Sequence, residues 1–291
     1  MPTIHEQLRK VSRDLDAVSS EAACEARLIL AHVYGTTPGA LIMRLLHEGS
    51  HEEEIASIVA ARLGGRPLAY ILNSRDFYGA EYFVDERVLI PRADTESVVE
   101  AALTRLERRR FRTAADICCG SGCIGITLLR ESPVETVFFA DISAGALAVA
   151  AANAVRLAPG RNAVFLQGDL TDPLPQQVDM IICNPPYITA AEMEELELQV
   201  RDYEPHLALY GGQDGLDFYR RLVREGPARL TPGGLLITEI GAAQRGGVET
   251  LFRQAGLKQI EAGVDLAGRP RWVAGSRSLG EDDAGETERD S

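Results

Sequence analysis

No stretch of this 291-residue sequence comes near the roughly 18 consecutive apolar residues that a membrane-crossing helix requires. The opening residues, MPTIHEQLRKVSRDLD, lack the apolar core of a secretory signal. A cytoplasmic protein with no membrane partner is therefore expected. Positive charge is also scarce: 30 Lys and Arg stand against 43 Asp and Glu, for a formal net charge of −13. That excludes a broad phosphate-binding surface, which needs clustered cations, and no direct nucleic-acid partner is expected. The local run Arg108-Arg109-Arg110 reads as the solvated end of a helix. The five cysteines are odd in number and form no disulfide framework. Cys118, Cys119 and Cys123 fit no zinc spacing, and no histidine lies near them, so no metal is expected. They read as small apolar residues in a tight turn.

What is present is globular: 45% apolar and 25% charged residues, in a chain long enough for one large domain and a smaller one. Residues 1–72 carry apolar residues at helical spacing (Ile4, Leu8, Val11, Leu15; then Ala23, Ala26, Ile29, Leu30, Val33) and predict a small helical domain, including a helix over Pro38–Leu46. Residues 73–95 predict a β-hairpin linker, with Phe77–Val84 and Arg87–Arg92 as strands around Asp85-Glu86. Over 96–277 strands and helices alternate, which predicts an α/β domain with a mostly parallel sheet, closed by an antiparallel hairpin of Gln259–Val264 and Arg271–Ala274. Residues 278–291 are acidic and predict a disordered tail.

Four positions, each following a strand, carry chemistry. Asp116-Ile-Cys-Cys-Gly120-Ser121-Gly122 joins a strand to a helix, and its glycines let backbone approach a ligand closely. A carboxylate there repels a pyrophosphate and suits a cationic group, which favours S-adenosylmethionine over a dinucleotide. Asp141, ending the next strand, can accept hydrogen bonds from two ribose hydroxyls; the alternative is a helix cap, a role Ser143 also fits. Asp169 can accept from an adenine amino group with Leu170 packed on the ring, or Gly168-Asp169-Leu170 is a turn. Finally, Val178–Cys183 runs into Asn184-Pro185-Pro186-Tyr187, where two prolines end the strand. The Asn184 side-chain oxygen and the Pro185 carbonyl can hold both N–H bonds of a planar amide or aryl amine, and Tyr187 offers it a flat face. Asn184, Pro185 and Tyr187 are the catalytic candidates, with Pro186 beside them in the acceptor site.

The chain resembles the HemK-type protein-(glutamine-N5) methyltransferases. The resemblance runs from about residue 20 to 275, on YILNSRDFYGAEYFVDERVLIPRADTE (Tyr70–Glu96), DICCGSGCIGI (Asp116–Ile126), ADIS (Ala140–Ser143), NPPYI, EPHLALYGGQDGLDFYR (Glu204–Arg220) and LTPGGLLITEIGAAQ (Leu230–Gln244). It implies a class I, Rossmann-like methyltransferase domain binding S-adenosyl-L-methionine behind a substrate-binding helical domain. Cys118, Cys119, Gly120, Ser121, Gly122, Asp141, Leu170 and Asn184 would line the cofactor, and Asn184 to Tyr187 would clasp a glutamine. Within the family, Ala93–Glu96 and Glu239–Gln244 resemble the group that methylates the Gly-Gly-Gln loop of peptide chain release factors. Cys118-Cys119, Cys123, Asn73 and VDERVLIPR resemble the group acting on a large-subunit ribosomal protein. Adenine N6-methylation of nucleic acid is a further alternative that NPPY alone would support, though such enzymes need basic surface. A cofactor-binding regulator would have no need of the amide clasp.

Overall fold

A computed structural model describes residues 2–279, in two compact units. The acidic tail expected over 278–291 lies, from residue 280 on, outside the described residues. The first unit comprises Met1–Ser74 with Glu197–Tyr203. It holds α1 (Ile4–Leu15), α2 (Ala22–Val33), α3 (Pro38–Leu41), α4 (Glu52–Leu63) and α5 (Leu68–Leu72). Thr3 and Glu6 close a capping box at the start of α1, which satisfies two N–H groups the helix leaves open. Ile4, Val11 and Leu15 lie on one face of α1 and join Ala26, Ile29 and Leu30 of α2 in a single apolar core. The expected helix over Pro38–Leu46 stops at Leu41 and tightens into a 3₁₀ turn at Ile42–Arg44. Ile42, Met43 and Leu46 remain exposed, so no buried face sustains a longer helix.

The second unit comprises Arg75–Leu196 and the chain from Glu204 on. It opens with a hairpin, β1 (Arg75–Phe77) and β2 (Ala80–Tyr82). This corrects the expected strands at 77–84 and 87–92. The chain reverses at Tyr78-Gly79, both with positive φ (46° and 70°), the two-residue geometry whose twist matches a hairpin. Residues 87–92 form no strand. Next come α6 (Glu96–Arg108), β3 (Thr113–Ile117), α7 (Cys123–Glu131), β4 (Thr136–Asp141), α8 (Ala144–Leu157), β5 (Asn162–Gln167) and β6 (Val178–Cys183). They are followed by α9 (Ala190–Glu195), then α10 (Leu198–Tyr203) of the first unit, then α11 (Asp217–Arg229), β7 (Leu230–Glu239), α12 (Arg245–Gln254), β8 (Lys258–Val264) and β9 (Pro270–Ser276). Sequence periodicity missed α5, α9 and α10, each of five or six residues and too short to show a repeat.

The sheet order is β5-β4-β3-β6-β7-β9-β8. Strands β5 to β7 are parallel, while β9 runs antiparallel to β7 and β8 to β9. The expected mostly parallel sheet with a closing hairpin is what forms. β3, β4 and β6 are almost wholly buried because helices cover both faces, as continuous apolar strands require. One core packs α6, α7 and α8 on one face, and the other packs α11 and α12 on the opposite face. Chain order reverses between β3 and β6, so their carboxyl ends border the crevice where doubly wound sheets bind ligands.

Candidate functional site

The loop after β3 is bent by positive φ at Cys118 (57°), Gly120 (52°) and Gly122 (77°). A Cβ on Gly120 would meet no protein atom, so the space beside it is open. One on Gly122 would lie 2.9 Å from Ile126 and 3.1 Å from Ala150, so that glycine allows α7 and α8 to pack closely. Gly122 is also the N-cap of α7 and has no side chain to offer. Asp116 supplies the missing acceptor from β3: its Oδ2 takes the Gly125 N–H at 2.8 Å. Asp116 is 1% exposed, and burial pushes its carboxyl up to about 8 against the pull of that N–H. It therefore braces the loop from beneath instead of facing a cationic ligand.

Asp141 ends β4 with one oxygen on the Gly120 N–H (3.0 Å) and the other on the Ser143 N–H (2.9 Å). Burial raises this carboxyl while those N–H groups hold it down. Ser143 caps α8 through the Ala146 N–H, so the cap does not fall to Asp141, which lines the crevice. From α8, Asn153 reaches the same loop: its Nδ2 donates to the carbonyls of Ser121 (3.0 Å) and Phe83 (2.9 Å), and its Oδ1 accepts the Phe83 N–H (2.8 Å).

These elements enclose a cavity of about 230 Å³. Cys118, Cys119, Gly120, Ser121, Asp141, Asp169, Leu170 and Asn184 all line it, and so does Pro186. Gly122, Pro185 and Tyr187 are set back from it. Leu170 is mostly core, 4% exposed, and Asp169 is paired through Oδ2 with Arg221 of α11 at 2.9 Å. Ser121 Oγ is buried with no hydrogen-bond partner. The carboxamide of Asn184 and the carbonyl of Pro185 have none among the described residues either.

Sequence reasoning missed the outer wall. It consists of Val88, Leu89, Pro91 and Arg92 from one loop and Leu207, Phe218 and Arg221 from another part of the chain. Glu204 ties the two together: it pairs with Arg92 and accepts the Ile90 N–H at 3.2 Å. The signal for both was the pair of stretches VLIPRADTE and EPHLALYGGQDGLDFYR, which carried the resemblance but were given no role.

Tyr187 lies behind the clasp. Its hydroxyl is 3.4 Å from Glu239 Oε1, and burial, reinforced by Glu239, raises its phenol well above the ordinary range. Glu239, 1% exposed at the end of β7, is pushed by burial up to about 7 although a hydrogen bond from Thr95 and the Arg271 guanidinium pull it down.

Comparison with known proteins adds a family to this geometry. Residues 94–200 match the methyltransferase small domain and residues 6–72 the PrmC N-terminal domain. The fold resembles a methyltransferase from Pyrococcus furiosus, with a TM-score of 0.52 at 14% identity, over 77% of this chain and all of that one. The release factor glutamine methyltransferase of Cereibacter sphaeroides is 42% identical over 87% of this chain and 91% of its own. That of Bordetella pertussis is 38% identical over 90% and 98%. With identity of this order along nearly the full length of both chains, the chain belongs to the release factor glutamine methyltransferase family.

Proposed function

We propose that this protein transfers a methyl group to the side-chain nitrogen of a glutamine in the Gly-Gly-Gln loop of peptide chain release factors, in the cytoplasm. The observation that carries the chemistry is a pair of groups with no hydrogen-bond partner among the described residues: the Asn184 carboxamide on the cavity wall and the Pro185 carbonyl set back beside it. The methyl donor of the family is S-adenosylmethionine, and the residues present suit it. Asp141 has acceptor capacity for ribose hydroxyls, Gly120 has open space where a Cβ would stand, and buried Ser121 Oγ lacks a partner. Gly120, Ser121, Asp141 and Phe218 would hold it, with Cys118, Cys119 and Leu170 as apolar lining. When bound, it supplies an electrophilic methyl group.

The protein's own task is to make an amide nitrogen reactive. That nitrogen is a poor nucleophile because its lone pair is delocalised into the carbonyl. Accepting both of its N–H bonds on Asn184 Oδ1 and Pro185 O fixes its orientation and stabilises the positive charge that develops on it. Tyr187 backs the clasp, and Pro185-Pro186 make it stiff. A strong base at the nitrogen is unnecessary, because its proton becomes acidic only as the bond forms.

The test is to incubate the protein with labelled S-adenosylmethionine and, in separate arms, unmethylated release factor, a large-subunit ribosomal protein and DNA, and to map the label by mass spectrometry. Label on the release-factor glutamine is expected; label only on ribosomal protein or DNA, or none, sinks the reading. Asn184→Ala should lower kcat by about 10²–10³, the usual cost of removing one preorganised polar group from a reacting centre, with the thermal unfolding curve unchanged. Near-normal turnover would refute the clasp.

A further inference from the structure

Two stretches of chain that play no part in that chemistry converge on Tyr187. One is Glu239–Gln244, where β7 leaves the sheet; the other contains Gly211 and Gly215. The Gln244 carboxamide is saturated by protein. Its Nε2 donates to the carbonyls of Tyr187 (2.8 Å) and Gly215 (3.2 Å). Its Oε1 accepts the Gly241 N–H (2.9 Å) and the Tyr219 hydroxyl (3.3 Å). Both donors and both lone pairs are thus in use. The glycines make room for this. A Cβ on Gly211 would stand 2.6 Å from Tyr187 Cα and 2.7 Å from the Pro186 carbonyl. One on Gly215, whose φ is +71°, would stand 2.4 Å from both Gln244 Nε2 and the Tyr187 carbonyl, inside the hydrogen bond itself. By contrast the Tyr187 hydroxyl reaches Glu239 only at 3.4 Å, longer than a good O–H to oxygen bond. The backbone of Tyr187 is therefore held more firmly than its phenol.

We infer that Gln244 is the positioning residue of the amide clasp. Asn184 and Pro185 must present two acceptors at fixed directions, yet neither the Asn184 carboxamide nor the Pro185 carbonyl has a hydrogen-bond partner among the described residues. Upstream the clasp is held where Cys183 pairs with β3 and β7; downstream, across two stiff prolines, the first fixed point is the Tyr187 carbonyl on Gln244. Gln244 does not line the cofactor cavity. Its loss should leave cofactor affinity intact and disturb only the acceptor's alignment, where a displacement of about 1 Å can cost on the order of 100-fold.

The inference rests on the functional reading above, and its test separates the two. Gln244→Met keeps the volume and removes the hydrogen bonds; Gly215→Ala disrupts the same contact from the other side. Each is compared with wild type for S-adenosylhomocysteine affinity by calorimetry, for thermal unfolding, and for steady-state methylation of the release factor. The expected result is a more than tenfold fall in kcat, with KM for the release factor within threefold and cofactor Kd within twofold, in whichever variant unfolds cooperatively. Wild-type kcat in such a variant, or a loss of cofactor affinity in step with activity, overturns the inference alone. A wild-type protein that labels no release-factor glutamine overturns the functional reading and the inference with it.

Discussion

Asn184 and Gln244 both carry a carboxamide, but only that of Gln244 has its donors and acceptor filled by protein. A half-buried amide left without partners at a cavity wall is costly unless something else binds it. That contrast separates a residue available to a ligand from one that braces its neighbour. Phe218 poses a similar question on the cofactor side. Among the described residues it is the one aromatic ring lining the cavity, while Leu170, the residue expected to pack on adenine, is mostly occupied by the core. Phe218→Ala should therefore weaken S-adenosylhomocysteine binding by about 1–3 kcal/mol, the usual value of a base stacked on an aromatic side chain. That is roughly 5- to 150-fold in Kd, readable by calorimetry; an unchanged Kd would remove the ring from the adenine site. Asp141 and Asn184 were legible in the sequence because a polar side chain ending an apolar strand is a local signal. Gln244 was not, because its partner Tyr187 lies 57 residues away and nothing in a glutamine's own neighbourhood announces a remote carbonyl.

Elements were legible where a face repeats and illegible where geometry decides. The strands β3, β4 and β6 and the helices between them follow from apolar runs and caps. The first hairpin was displaced because its turn residue, Tyr78, adopts a positive φ that side-chain type does not advertise. Packing of α8 against the glycine loop shows how an element serves the site. Asn153, fully buried, is the strut between that helix, the Ser121 carbonyl and the chain leaving β2. Removing it takes the Asn153 partner from one buried and two part-buried backbone groups, a loss worth about 1–3 kcal/mol for a group that is fully desolvated and less for the others. Asn153→Ala should lower the thermal midpoint by several degrees and also weaken cofactor binding, because the loop that carries Gly120 and Ser121 loses its rear support. If the midpoint falls and the cofactor Kd stays at the wild-type value, the strut matters to the fold alone.

Two populations of carboxyl group shape the stability of the molecule as a whole, and their pH windows do not overlap. Asp85, Asp179, Asp265 and Glu249 are held below their ordinary range by hydrogen bonds and arginines. What they contribute is present above pH about 4 and is lost as pH falls through their lowered folded values. Asp116 and Glu239 run the other way: burial lifts them to about 8 and about 7. The folded chain keeps those two protons at a pH where the unfolded chain has released them. Their contribution is complete below the unfolded values near 4 and is lost as pH rises through 7 to 8. The net charge of −13 adds self-repulsion in the same direction. Stability should peak near pH 5 and decline toward pH 8.5. Asp116→Asn distinguishes the causes, since its amide oxygen can still accept the Gly125 N–H but carries no charge to desolvate. A tenfold difference in proton affinity between folded and unfolded chain is worth about 1.4 kcal/mol, or roughly 3–6 °C in a domain of this size. In thermal melts at pH 5.5 and 8.5, the drop in midpoint should therefore be smaller for Asp116→Asn than for wild type by at least about 2 °C. A variant whose midpoint falls in parallel with wild type would assign the decline to net charge and leave the buried carboxyl of Asp116 ionised throughout.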